Sequence, residues 1–129
     1  MSEKKKVVQT ILVVEPDVEL AKIIGPFLSL NGYRVIHTAS TREAIKKLSL
    51  QKFGALMMDP ATDQHGEDVL RAAMTKGAYN VKTPVVLVSA TKDTNLAQNS
   101  LTNVIAVMEK PYTLEQLAGC LSAVENFQK

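Results

Sequence analysis

The chain has 129 residues, 46% of them hydrophobic, and a net charge of +2, which suits one domain with its own core and gives no electrostatic reason for direct nucleic-acid binding. The single cysteine, Cys120, excludes an internal disulfide, and no apolar run approaches the ~18 residues of a membrane span. Glu15 and Asp17 follow the first apolar run too closely for a secretory signal, so the expected setting is reducing and cytoplasmic, without membrane contact.

The expected organisation is one domain over 1–129, with 1–6 as a frayed tail. Lys4-Lys5-Lys6 belongs to that tail and reads as solvated charge. If the chain is the whole protein, it carries no output domain. Apolar, β-branched runs then alternate with helix-period segments. The runs are Val7–Val14, Arg34–Thr38, Ala55–Met58, Pro84–Val88 and Val104–Met108. Several are apolar at nearly every position, as in strands buried on both faces. The helical segments are 17–31, 41–50, 67–76, 93–101 and 113–127. The alternation predicts an α/β fold, a parallel sheet wrapped by helices on both sides.

In the first helix Asp17 is the N-cap. Leu20, Ile23, Ile24, Phe27 and Leu28 form its buried stripe. Pro26 lacks the N–H for the Lys22 carbonyl, which predicts a kink or break. Asn31-Gly32 stops the helix. Ser40 with Glu43, and Thr113 with Gln116, have capping-box spacing. Segment 93–101 is rich in Asp, Thr, Asn and Ser, which bond their own backbone, so a short, loosely held helix is expected there. Cys120 falls on the apolar stripe of the last helix and reads as core.

Four polar residues close apolar runs. Glu15 ends ILVV, Asp59 ends ALMM, Ser89 ends VVLV, and Lys110 follows VIAVME. Parallel strands gather their C-termini on one edge, where ligands bind. Two carboxylates, a hydroxyl and an ammonium gathered there suit a divalent ion and a phosphoryl group together. Asp59 reads either as a turn-starting Asp before Pro60 or as a carboxylate nucleophile. His65 reads as a solvated loop histidine, and His37 as a strand-end residue with a partner. Met57 and Met58 read as core. Tyr112 either covers the pocket rim or begins the last helix.

With ILVVEPD, ALMMD, Gly66, VVLVSA and EKPY on the page, the chain resembles the receiver domain of two-component response regulators from about Gln9 to Val124. The resemblance implies a flavodoxin-like (βα)5 doubly wound sandwich with a five-stranded parallel sheet in the order 2-1-3-4-5. It implies Asp59 as the phosphoacceptor, with Lys110 and Ser89 as its catalytic partners and the peptide N–H of Ala90 as a phosphoryl contact. Mg²⁺ would be held by Glu15, Asp59 and the backbone carbonyl of Ala61. Ser89 and Val107 take the switch positions. The implied donor is a histidine kinase or phosphotransfer protein. The implied reader is a downstream protein on the surface of segment 93–101, the fifth strand and the last helix, a face that also offers homodimer contact. Direct nucleic-acid contact is not expected, and the only enzymatic acts implied are self-phosphorylation from a phosphodonor and self-dephosphorylation.

Several residues depart from that pattern. Pro16 stands where the family has a second acid, so Mg²⁺ binding is expected to be weak. Asp17, the next carboxylate, is expected to face its own helix N-terminus. Gly66 comes seven positions after Asp59, against the family's eight, and the Met-Pro pair is absent. Pro60 has no amide to offer a phosphoryl oxygen. Val107 replaces the aromatic switch residue, and packing in the last strand is expected to hold it. These departures favour an alternative, a pseudo-receiver that binds a partner without phosphorylation. A flavodoxin-like cofactor enzyme is disfavoured. Its phosphate-cradling turn would here be EPDVE, whose carboxylates repel phosphate, and no GxGxxG is present.

Overall fold

The structure is a computed structural model, and it describes residues 8–127 except 64, 76 and 91–102. Its elements run β1 (Thr10–Val14), α1 (Val18–Leu30), β2 (Arg34–Thr38), α2 (Thr41–Leu48), β3 (Ala55–Met58), α3 (Gly66–Met74), β4 (Val85–Ser89), β5 (Val104–Glu109) and α4 (Leu114–Phe127). The strands form one parallel sheet in the order β2-β1-β3-β4-β5. That is the expected flavodoxin-like order. The four helices are those among the described residues; the helix expected over 93–101 falls outside them.

The sheet is buried on both sides because its strands are apolar at successive positions. Side chains alternate along a strand, so Ile11, Val13 and Met57 join Ile24, Leu28, Leu117 and Leu121 in one core. Leu12, Val14 and Met58 join Ala44, Leu48, Val69 and Leu70 in the other. Helices α1 and α4 therefore cover one face, and α2 and α3 the other. Cys120 is buried in the first of these cores.

The caps position the helices over the strand ends. Asp17 accepts hydrogen bonds from the amides of Glu19 and Leu20 at 3.0 and 3.2 Å. Thr113 and Gln116 form a reciprocal capping box, at 2.8 and 3.0 Å. Ser40 caps only one way, accepting from the Glu43 amide, because its own amide donates to Thr38 Oγ1. At the end of α1, the Gly32 amide donates to Ser29 O and the Tyr33 amide to Leu28 O. Gly32 takes the left-handed φ of +91° that this closure needs.

In α1 the break expected at Pro26 is not seen, since the helix runs continuously from Val18 to Leu30. Pro26 is exposed, so water can serve the carbonyl that loses its partner. Ile23 is not in the buried stripe but 59% exposed. Ile24 and Leu28 take the core side, with Leu20 and Phe27 flanking them.

Candidate functional site

The backbone brings the strand ends level. The Glu15 amide donates to Thr38 O, and the Asp59 amide donates to Val14 O, both at 3.0 Å. These bonds carry the ladders one residue past β1 and β3 and set Glu15 beside Asp59. On the other side, the Lys110 amide donates to Ser89 O at 2.7 Å. Ser89 is the last residue of β4, next to β3. Ala90 is exposed just beyond it.

Lys110 ties the cluster together. Its Nζ lies 2.7 and 2.8 Å from the two oxygens of Glu15 and 2.7 Å from Asp59 Oδ2. Both carboxylates are buried, Glu15 at 2% exposure and Asp59 at 5%, while the Lys110 side chain is 19% exposed. Burial by itself would lower the Lys110 pKa. Its hydrogen bonds to Asp59 and Glu15, and then their charges, overcome that and hold the ammonium above the ordinary lysine range. Both carboxylates also accept hydrogen bonds from backbone amides. Asp59 Oδ1 accepts from the Ala61 amide at 2.8 Å, and Glu15 Oε2 from the Asp17 amide at 3.0 Å. His37 Nε2 lies 2.9 Å from Glu15 O, fixing that strand end from β2. The Lys110–Pro111 peptide bond is cis.

The donor set bears on a metal directly. Two buried carboxylates are a minimal fit for Mg²⁺, which takes one or two and keeps several waters. Among the described residues, no group of three His, Cys, Asp or Glu side chains could hold a metal ion. Asp17 is engaged with its own helix N-terminus, as expected. Lys110 contacts both carboxylates, so a cation there would share them with the ammonium.

The loop after Asp59 holds features that the sequence reading missed. Thr41, buried at the start of α2, donates its hydroxyl to both oxygens of Asp63 at 2.8 Å. The His65 amide donates to Asp63 Oδ1 at 2.7 Å. These two bonds, the amide's first, lower the pKa of Asp63. The loop is thereby stapled to α2. An Asp two residues before an amide donor is an Asx-turn signal, but the link to Thr41 left no local trace. Gly66 opens α3 because nothing larger fits: a Cβ there would stand 2.0 Å from Pro60 O. His65 is exposed and pairs with Asp68. Tyr112 stands before the last helix, which begins at Leu114. Its hydroxyl is buried and without a partner among the described residues. Burial, then the charges of Glu15 and Cys120, push its pKa well above the tyrosine range.

Val107 corrects an expectation. Its side chain is exposed, not held by packing. It pairs with Leu87 in register, and it lines a groove between β5 and α4 of about 640 Å³ with Met108, Gln116 and Cys120.

Comparisons with solved structures and curated proteins bear on the fold. The receiver domain of sensor histidine kinase PA1611 from Pseudomonas aeruginosa superposes with a TM-score of 0.72 at 23% identity, over 90% of this chain and 96% of that one. The chemotaxis response regulator CheY4 of Vibrio cholerae gives 0.80 at 20% identity, over 92% and 99%. The chain has the receiver-domain fold. The PA1611 receiver carries magnesium in its active-site cleft. In sequence, the transcriptional regulatory protein CrdR of Helicobacter pylori is 26% identical over 108 residues, 83% of this chain. The chain spans half of that relative's length. No family model matches the sequence. The receiver fold accounts for the placement of Glu15, Asp59, Ser89 and Lys110 on one sheet edge. Among the described residues, no helix is long and apolar enough to cross a membrane.

Proposed function

We propose that this chain is a phosphoacceptor receiver of a two-component or phosphorelay system, acting in the cytoplasm with Asp59 as acceptor. The observation that carries the reading is Lys110 Nζ, held within 2.8 Å of both Glu15 and Asp59. An Asp59 carboxylate oxygen attacks the phosphorus of a phosphohistidine on a kinase or phosphotransfer protein. The phosphorus–nitrogen bond breaks, and the imidazole nitrogen keeps the electron pair. Such transfer depends on position and charge balance. Lys110 neutralises the incoming phosphoryl oxygens, and the Ser89 hydroxyl and Ala90 amide bond to them. Glu15, Asp59 and the Ala61 carbonyl would hold Mg²⁺, which supplies the remaining positive charge. A downstream protein, or a second copy of the chain, then reads the surface of β5 and α4. With Val107 at the switch position, that readout proceeds without an aromatic rotamer.

A second reading is a pseudo-receiver that binds its partner unphosphorylated. It is favoured by Pro16, which offers no ligand, and by Asp17, whose carboxylate is taken by the amides of Glu19 and Leu20. Amide NMR during titration with Mg²⁺ and beryllofluoride separates the two. The receiver reading expects shifts at Ser89, Ala90 and Lys110, and tighter Mg²⁺ binding in Pro16→Asp. No shift at these amides, with Pro16→Asp also inert, would leave the pseudo-receiver.

A further inference from the structure

The sheet edge opposite Asp59 has its own chemistry. Parallel strands begin there, and helices end there. Arg34, Lys52 and Lys82 stand at the entries to β2, β3 and β4, all exposed. Ladder bonds fix their alignment: the Arg34 amide donates to Gln9 O, Gly54 to Thr10 O, and Leu56 to Pro84 O. Lys52 and Lys82 line one cavity of about 430 Å³, together with Gln9, Asn103 and Phe127. Among the described residues these three cations make no ion pair.

Carboxylates are segregated from it. Glu125, which accepts from Tyr33 Oη at 3.4 Å, is the exception. The other acids among the described residues lie at or past the strand C-termini or in helix first turns. Helix dipoles account for Lys46 and Lys47 in the last turn of α2. Arg34, Lys52 and Lys82 lie outside the helices, so that account does not reach them.

Large apolar side chains are exposed along the same edge. Leu30, the last residue of α1, is 87% exposed, Leu50 after α2 is 71%, and Tyr79 before β4 is 61%. Val8 and Phe127 are exposed there too. Tyr79 and Phe127 could stack on bases, but a nucleic-acid surface has no use for the two most exposed side chains here, Leu30 and Leu50. Basic residues interleaved with exposed apolar tips are instead the composition of a surface that lies in a membrane interface.

From this we infer that the strand-entry edge is a peripheral binding surface for anionic phospholipid bilayers. Lys52, Lys82 and Arg34 meet the headgroups, and Leu30 and Leu50 enter the acyl boundary. This departs from the expectation of no membrane contact, which rested on the lack of a spanning segment. The site leaves the Asp59 edge facing away from the bilayer and open to a protein partner. It does not rest on the phosphoacceptor reading.

Vesicle co-sedimentation of the full chain tests it. Phosphatidylcholine vesicles containing phosphatidylserine should retain the protein, and phosphatidylcholine alone should not. Added salt should weaken retention. Neutralising Lys52 and Lys82 with serine should lower the partition coefficient about fivefold for each lysine. Leu30→Ser with Leu50→Ser should lower it about tenfold. Val18→Ser with Leu114→Ser, the same chemistry at the opposite edge, should leave it unchanged, as should Asp59→Asn. Equal loss in the Val18/Leu114 pair, or no retention on anionic vesicles, overturns the inference. So does binding to duplex DNA without vesicle binding and without dependence on Leu30 and Leu50.

Discussion

Removing the Lys110 ammonium should expose how the strand-end cluster is balanced. In Lys110→Met, Glu15 and Asp59 stay buried but lose the nitrogen that each contacts at 2.7 Å. Oxygens that share one nitrogen lie about 5 Å apart, and at an effective dielectric of about 20 their repulsion is about 3 kcal/mol. The partial exposure of Lys110 places the expected cost at the lower end of that for breaking a buried pair, about 3 kcal/mol. In an Asp59→Asn background Lys110 has one carboxylate to balance instead of two, so the same substitution should cost about 1.5 kcal/mol. Asp59→Asn alone should cost under about 1 kcal/mol, because it leaves Glu15 and Lys110 as a balanced pair. Urea unfolding of the four proteins measures the cycle. Additivity to within about 0.5 kcal/mol would refute the shared-ammonium account.

Two further expectations follow from single features. Gly66→Ala places a Cβ 2.0 Å from Pro60 O, so the loop after Asp59 must shift, and urea unfolding should show a loss of about 1–3 kcal/mol; an unchanged midpoint would mean the loop yields freely. Stability should also fall at high pH. Lys110, Tyr33, Tyr112 and Cys120 all have raised pKa values in the fold, so the folded chain holds those protons more tightly than the unfolded one. Their stabilisation is complete below the ordinary values and is lost as pH rises through the folded ones, so urea midpoints should decline above about pH 9; flat or rising midpoints there would contradict these environments.

The fold was legible where the sequence is most repetitive. The continuous apolar run of β3 gave that strand its observed limits, because a strand buried on both faces has nothing polar to blur it; the limits of β2, an edge strand carrying Arg34 and His37, follow from the Gly32 turn before it and the Ser40 cap after it. Terminal residues were less legible. The first ladder starts at Thr10, not Val7, and β5 runs on to Glu109. The stripe of α1 was read too wide, because Ile23 sits just off the face that carries Ile24 and Leu28. At the site, Glu15, Asp59 and Lys110 could be found because each interrupts an apolar run at a strand end. Thr41 with Asp63, and the buried Tyr112 hydroxyl, depend on contacts between distant segments, which residue type alone does not record. Val107 was misplaced for a related reason: a valine in a strand reads as packed, but β5 is an edge strand.

Intact-mass spectrometry after incubation with acetyl phosphate and Mg²⁺ tests the central claim most directly. The wild type should gain one phosphoryl group, and Asp59→Asn should gain none. A wild type that stays unmodified, or an Asp59→Asn variant that is modified equally, would contradict Asp59 as the phosphoacceptor.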